Sequence, residues 1–211
     1  MIQPYDNIVF YGDSITDCGR DRDAVPGEEA GWGHGYAQMA SAWLSAQKPE
    51  LSLQFSNKGN GGDRVSDLEE RLERDVLSLR PNLVSILIGI NDVWREFDSN
   101  LPSPLEEFSA SFRRILERVV GAGCEVILLD PFVLHIRPEF EAWRPLLDPK
   151  IEVVRELSRE FAATHVPLDD IFQAASQKRK PEFWAADAVH PTLAGHALIA
   201  QSWLEAVSNF R

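Results

Sequence analysis

Asn82-Leu83-Val84-Ser85-Ile86-Leu87-Ile88 is a nearly continuous apolar run. A strand with one wet face alternates apolar and polar residues, so a run without alternation belongs to a strand covered on both faces. Such a strand obliges the rest of the chain to supply cover above and below it. Glu125-Val126-Ile127-Leu128-Leu129 makes the same demand. Asn7-Ile8-Val9-Phe10-Tyr11, β-branched and aromatic, predicts a short buried strand near the start. Leu51-Ser52-Leu53-Gln54-Phe55 alternates instead, which predicts a half-exposed strand at the sheet edge, and His165-Val166-Pro167-Leu168 predicts a short last strand.

The cover comes from segments of helical period between these runs. Trp32, Tyr36, Met39, Trp43 and Leu44 share one face of a predicted helix. Ser66-Asp67-Leu68-Glu69 is a capping-box pattern opening a helix with the stripe Leu68, Leu72, Val76 and Leu79, which Arg80-Pro81 stops. Ser103-Pro104-Leu105-Glu106 opens another, burying Phe108, Phe112, Ile115, Leu116 and Val119 and ending at Gly121 and Gly123. Asp148-Pro149 predicts the start of a helix with Ile151, Val154, Leu157 and Phe161 inward. The closing helix, Thr192 to Val207, buries Leu198, Ile199, Trp203 and Val207. Residues 18–30 and 130–147 read as loops, the second long enough to suggest a functional role. Strand and helix alternate with connections long enough for right-handed crossovers. The prediction is an α/β fold, a three-layer α/β/α sandwich on a parallel five-stranded sheet in flavodoxin-like order. With 211 residues, 44% of them hydrophobic, and no repeat or linker, one domain spans 1–211.

In a parallel sheet the C-terminal ends of all strands lie on one rim, where α/β proteins build their sites. Gly12-Asp13-Ser14 follows the first strand, Asn57-Lys58-Gly59-Asn60-Gly61-Gly62-Asp63 the second, and Gly89-Ile90-Asn91-Asp92 the third. The second of these is too glycine-rich for regular structure and can bring backbone N–H groups close to a ligand. Asp187 and His190, three apart on a loop before the last helix, can be neighbours. Acyl transfer needs a nucleophile, a base, a group to orient the base, and donors for the developing oxyanion. Ser14, His190 and Asp187 fill the first three roles. The backbone N–H groups of Ser14 and Gly62 and the side-chain amide of Asn91 fill the last. Asp13, Trp94 and Arg95 are candidate substrate contacts, with Trp32, Trp143 and Trp184 behind them. Cys18 follows Ser14 without a base of its own and reads as a packed thiol.

Composition removes other classes. A net charge of −12 argues against nucleic-acid or anionic-membrane partners, which the chain would repel. No run is long enough to span a bilayer, and Met1 to Asp6 lacks a basic stretch followed by an apolar one. Cys18 and Cys124 have no metal or redox spacing, which predicts reduced thiols in the cytoplasm. His34, His135, His165 and His196 lack metal-ligand spacing, so neither metal nor cofactor is expected.

Together these motifs resemble the SGNH (GDSL) hydrolase family of serine esterases. The resemblance rests on Gly12-Asp13-Ser14, on Gly62 within Asn57…Gly59…Gly62-Asp63, on Gly89-Ile90-Asn91-Asp92 and on Asp187-x-x-His190, in order along nearly the whole chain. Ile90 stands where a second glycine is common. Within the family, Gly12 to Arg20, Asn57-Lys58-Gly59, Gly89 to Arg95 and Val189-His190-Pro191 with Ala194-Gly195-His196 look like cytoplasmic acetylxylan esterases. The resemblance implies an SGNH fold, removal of acetyl groups from xylan-derived oligosaccharides or related sugars, and assembly as a homo-oligomer. A lysophospholipase or acyl-thioesterase could use the same triad. A mononucleotide-binding module of flavodoxin type would want a phosphate-cradling glycine loop after strand one, where this chain has Asp13 and Asp17.

Overall fold

A computed structural model describes residues 2–24 and 28–208. Five strands, β1 (Asn7–Gly12), β2 (Gln54–Gly59), β3 (Leu83–Leu87), β4 (Glu125–Leu129) and β5 (Thr164–Val166), form one sheet in the order β2-β1-β3-β4-β5. Every pairing is parallel. Among the described residues eight α-helices accompany them: α1 (Ser14–Asp17), α2 (Tyr36–Gln47), α3 (Val65–Asp75), α4 (Asn91–Ser99), α5 (Leu105–Gly121), α6 (Arg144–Glu160), α7 (Leu168–Lys178) and α8 (Leu193–Ser208). This is the predicted sandwich, and the apolar runs explain its two cores. On β1, Ile8 and Phe10 face α2 and α8, whereas Val9 and Tyr11 face α3 and α5. β3 divides in the same way, Leu83 and Leu87 to one side and Val84 and Ile86 to the other. Ser85, the one polar residue in that strand, is fully buried and accepts a hydrogen bond from Trp203 Nε1 at 3.0 Å. Among the described residues no helix is long and apolar enough to cross a membrane.

The structure corrects several boundaries. β2 begins at Gln54, with Leu51 in a preceding 3-10 turn, and it runs through Asn57-Lys58-Gly59, the stretch expected to be irregular. The polar and small residues there serve the neighbouring turn. Buried Asn57 donates from Nδ2 to the carbonyls of Thr16 at 2.7 Å and Trp32 at 2.8 Å. A Cβ on Gly59 would stand 2.1 Å from the backbone nitrogen of Asp17, so only glycine lets β2 pass under α1.

The capping carboxylate of α3 is Asp67, which accepts from the Arg64 N–H at 2.7 Å, so the helix starts one residue before Ser66. α6 begins at Arg144, with Pro145 in its first turn and Pro149 inside it, after a 3-10 segment at Pro138–Trp143. β5 stops at Val166, and Leu168 opens α7 instead of closing the strand. On α2 the buried face is Tyr36, Ala37, Ala40, Ser41 and Leu44, and Trp43 is 60% exposed.

Candidate active site

β1 ends at Gly12, and the chain turns at once into the short helix α1, which starts with Ser14. Asp13 holds that turn: its Oδ1 accepts from the Ile15 N–H at 3.0 Å, and its carbonyl from Asp17 N–H at 2.8 Å. Asp13, expected to contact substrate, is only 1% exposed and caps the helix that carries Ser14. Burial pushes its carboxyl up to about 7, with the nearby Asp92 and Asp63 adding to the rise against the Ile15 hydrogen bond.

Ser14 Oγ lies 3.0 Å from His190 Nε2, and His190 Nδ1 lies 2.7 Å from Asp187 Oδ2. A carboxylate can only accept, so Nδ1 carries the proton and Nε2 is left to accept from the serine hydroxyl. Asp187 Oδ1 accepts the N–H groups of Val189 at 3.0 Å and His190 at 2.7 Å. Burial pushes the Asp187 carboxyl up, but the hydrogen bonds from the His190 side chain and the two backbone N–H groups outweigh it and hold it below the usual carboxylate range. The loop carrying this pair is tied down by Leu134 N–H, which donates to the Ala188 carbonyl at 2.9 Å.

Gly62 sits in the left-handed region at φ +87°, aiming a backbone turn that a side chain would strain. Among the described residues the N–H groups of Ser14 and Gly62 have no acceptor within the protein. Asn91 is 3% exposed at the first turn of α4, and its Nδ2 donates to the Asp63 carbonyl at 2.9 Å, leaving a second amide hydrogen uncommitted. Asp63 is anchored in turn by Asn60 Nδ2 and by Arg71 Nε, the latter at 2.6 Å.

The helix α4 was not anticipated, and it fixes both Trp94 and Arg95. The Trp94 ring centroid stands 5.8 Å from that of His190 and 5.6 Å from that of Trp143. Phe97, one turn along α4, stacks on Trp143 at 5.4 Å, and Phe140 meets Trp143 edge-on. The result is an aromatic wall that ends at the histidine. Arg95 pairs with Asp98, and its guanidinium lies 3.6 Å from where a Cβ on Gly62 would be. Trp143 therefore joins the wall as a buried support, while Trp32 packs against Phe55 and Trp184 against Phe183, in other contacts. Phe97 and Arg71 were missed; Trp94 and Phe97 at i, i+3 were the only sequence signal for the former.

Cys18 Sγ lies 3.3 Å from His196 Nε2, and His196 Nδ1 accepts the Tyr36 N–H at 3.2 Å. Burial pushes the His196 imidazole down to about 4, with His190 adding to the shift, and raises the Cys18 thiol. A neutral histidine and a protonated thiol form a structural pair here, consistent with packing as the role of Cys18.

The sequence profile of the GDSL-like Lipase/Acylhydrolase family matches residues 10–198. An acetylxylan esterase of Geobacillus stearothermophilus is 34% identical over 206 residues, covering 96% of this chain and 94% of that protein. A solved structure of that acetylxylan esterase, Axe2, superposes with a TM-score of 0.91 at 34% identity, covering 100% of this chain and 97% of its own. A GDSL-like lipase from Parabacteroides merdae superposes with a TM-score of 0.95 at 33% identity, covering 99% of this chain and 98% of its own.

Proposed function

The chain belongs to the GDSL-like lipase and acylhydrolase family, and from that premise we propose that this esterase removes acetyl groups from acetylated sugars, xylan-derived oligosaccharides foremost. Ser14 is the nucleophile, His190 the base and Asp187 the group that orients it. Ser14 Oγ attacks the acetyl carbonyl carbon while its proton passes to His190 Nε2. The carbonyl oxygen takes up negative charge and is met by the N–H groups of Ser14 and Gly62 and the amide of Asn91. Collapse breaks the bond to the sugar oxygen, which leaves as an alcohol carrying the proton from Nε2. Water then attacks the acetyl-serine and gives a proton to Nε2; collapse breaks the bond to Ser14 Oγ, which takes that proton from Nε2 as acetic acid departs.

The observation that carries this reading is the unbroken run of contacts from Ser14 Oγ through His190 to Asp187, at 3.0 and 2.7 Å. The sugar part is supported by the aromatic wall of Trp94, Phe97 and Trp143 beside His190, and by the Arg95 guanidinium beside Gly62. A pyranose presents C–H groups to an indole face and hydroxyls to a guanidinium. The likeness to an acetylxylan esterase over nearly the whole chain points the same way. We also read the protein as cytoplasmic, a reading consistent with the free thiols of Cys18 and Cys124.

The test is a nitrophenyl ester series with acetate release measured on acetylated xylo-oligosaccharides. A short acyl pocket rejects each added methylene by about 1–3 kcal/mol, so kcat/KM should fall steeply from acetyl to butyryl and vanish by octanoyl. A maximum at octanoyl with no acetate released from sugars would transfer the chain to the lipid esterases. Ser14→Ala should abolish turnover in either case.

A further inference from the structure

Arg71 lies on α3 and is 7% exposed. Burying a guanidinium is costly unless its N–H groups are paired, so the partners it serves are informative. Its NH2 group donates to the carbonyl of Gly12 at 3.0 Å, the end of β1 and two residues before Ser14. Its NH1 group donates to the carbonyl of Lys58 at 2.9 Å, near the end of β2, and to Asp75 Oδ2 at 2.9 Å. Its Nε donates to Asp63 Oδ2 at 2.6 Å, and the guanidinium lies over the Tyr11 ring at 4.4 Å.

Asp63 follows Gly62 directly, and its carbonyl accepts from Asn91 Nδ2. The Gly12 carbonyl also accepts the Asn60 N–H at 2.9 Å, and Asn60 Nδ2 reaches back to Asp63. One rigid fork thus links the strand that delivers Ser14 to the turn that delivers Gly62, and through Asp63 to the amide of Asn91.

We infer that Arg71 is a positioning residue for the oxyanion hole: it sets the spacing of the Ser14, Gly62 and Asn91 donors without touching the substrate. This rests on the serine-esterase reading above. A fork of fixed geometry can hold two carbonyls and a carboxylate at set distances; an ammonium on a flexible stem cannot. Donors displaced by a fraction of an ångström still admit the planar ester, but they meet the tetrahedral oxyanion poorly.

The experiment is Arg71→Lys assayed per active site, with sites counted by stoichiometric phosphonate labelling of Ser14. Loss of a whole oxyanion donor costs roughly 10²–10³ in kcat, so displacement of the set should lower per-site kcat by about 10- to 100-fold with KM for nitrophenyl acetate within about threefold. An alkyl boronic acid, which forms a tetrahedral adduct on the serine, should bind more weakly by a similar factor. In an Asn91→Ala background the Arg71→Lys penalty should shrink, because both act on the same donors. If Arg71→Lys does not fold, Asp63→Asn, which keeps the backbone carbonyl but loses the ion pair, takes its place in the same cycle. Unchanged per-site kcat with only a lowered melting temperature would reduce Arg71 to a structural ion pair and overturn the inference. So would a penalty undiminished in the Asn91→Ala background. Full activity in Ser14→Ala would instead overturn the esterase reading itself, a separate outcome.

Discussion

Asp187→Asn isolates what the carboxylate contributes to His190, the proposed base. In the native loop Asp187 Oδ1 accepts two backbone N–H groups and Oδ2 accepts His190 Nδ1–H. An asparagine can do only one of these. With its oxygen on the backbone, its NH2 faces Nδ1 and drives the imidazole proton to Nε2, which can no longer accept from Ser14. With its oxygen on Nδ1, two backbone N–H groups lose their acceptor, at about 1 kcal/mol each. The competent arrangement is therefore the minor one, by roughly 2 kcal/mol on that count.

The lost charge adds to this. A carboxylate and an imidazolium about 4 Å apart interact by about 4 kcal/mol at an effective dielectric of 20, which we halve for solvent screening. That discount is required because the Asp187 side chain is 50% exposed. The sum is about 4 kcal/mol, or roughly 10³-fold in kcat. The assay is nitrophenyl acetate hydrolysis per titrated site, with circular dichroism to confirm folding. A kcat within tenfold of the native enzyme would refute the reasoning and show that the loop orients His190 without Asp187.

Three further outcomes are expected. Asp13→Asn keeps the oxygen that caps Ile15 and removes a carboxyl whose folded pKa is raised to about 7. A raised acid binds its proton more tightly when folded, so native Asp13 destabilises increasingly as pH rises from about 4 to about 7, and the variant's thermal midpoint should exceed the native one at pH 8 and converge with it near pH 4. Trp94→Ala should raise KM for acetylated xylo-oligosaccharides about tenfold, the equivalent of about 1.4 kcal/mol, with a smaller change on nitrophenyl acetate, as steady-state kinetics would show. Trp203→Phe strands the buried Ser85 hydroxyl and should lower stability by about 1–3 kcal/mol in urea denaturation, with no loss of activity per folded molecule.

The sheet was legible because β1, β3 and β4 are covered on both faces, and such strands announce themselves without knowledge of their neighbours. β2 was displaced because its requirements are tertiary: Asn57 and Gly59 are there for α1, not for strand propensity. α7 was missed although Leu168, Phe172 and Ala175 are buried at helical spacing behind Pro167, because Leu168 had been read as the tail of the strand. α4 was hidden by starting inside the Gly89-Ile90-Asn91-Asp92 motif, whose polar residues read as a turn. The residues proposed for the chemistry were legible because strand ends and one local loop bring them to the rim. Arg71 was not, since it stands in a run of alternating charges, Glu69-Glu70-Arg71 and Glu73-Arg74-Asp75. Nothing local says that one of those charges points inward.

Asp187 and His190 share one short loop, and their mutual distance is set by backbone contacts three residues long. Within the proposed triad, only the approach of that loop to Ser14, across 176 positions of chain, has to be achieved by folding as a whole. The triad is thus two prefabricated parts and a single gap. A fluctuation that lifts the loop takes the proposed base and its orienting acid away together, so each molecule is competent or silent, with few partly active forms between. Heating or mild denaturant should then lower the number of working molecules before it alters the rate at which any one of them works.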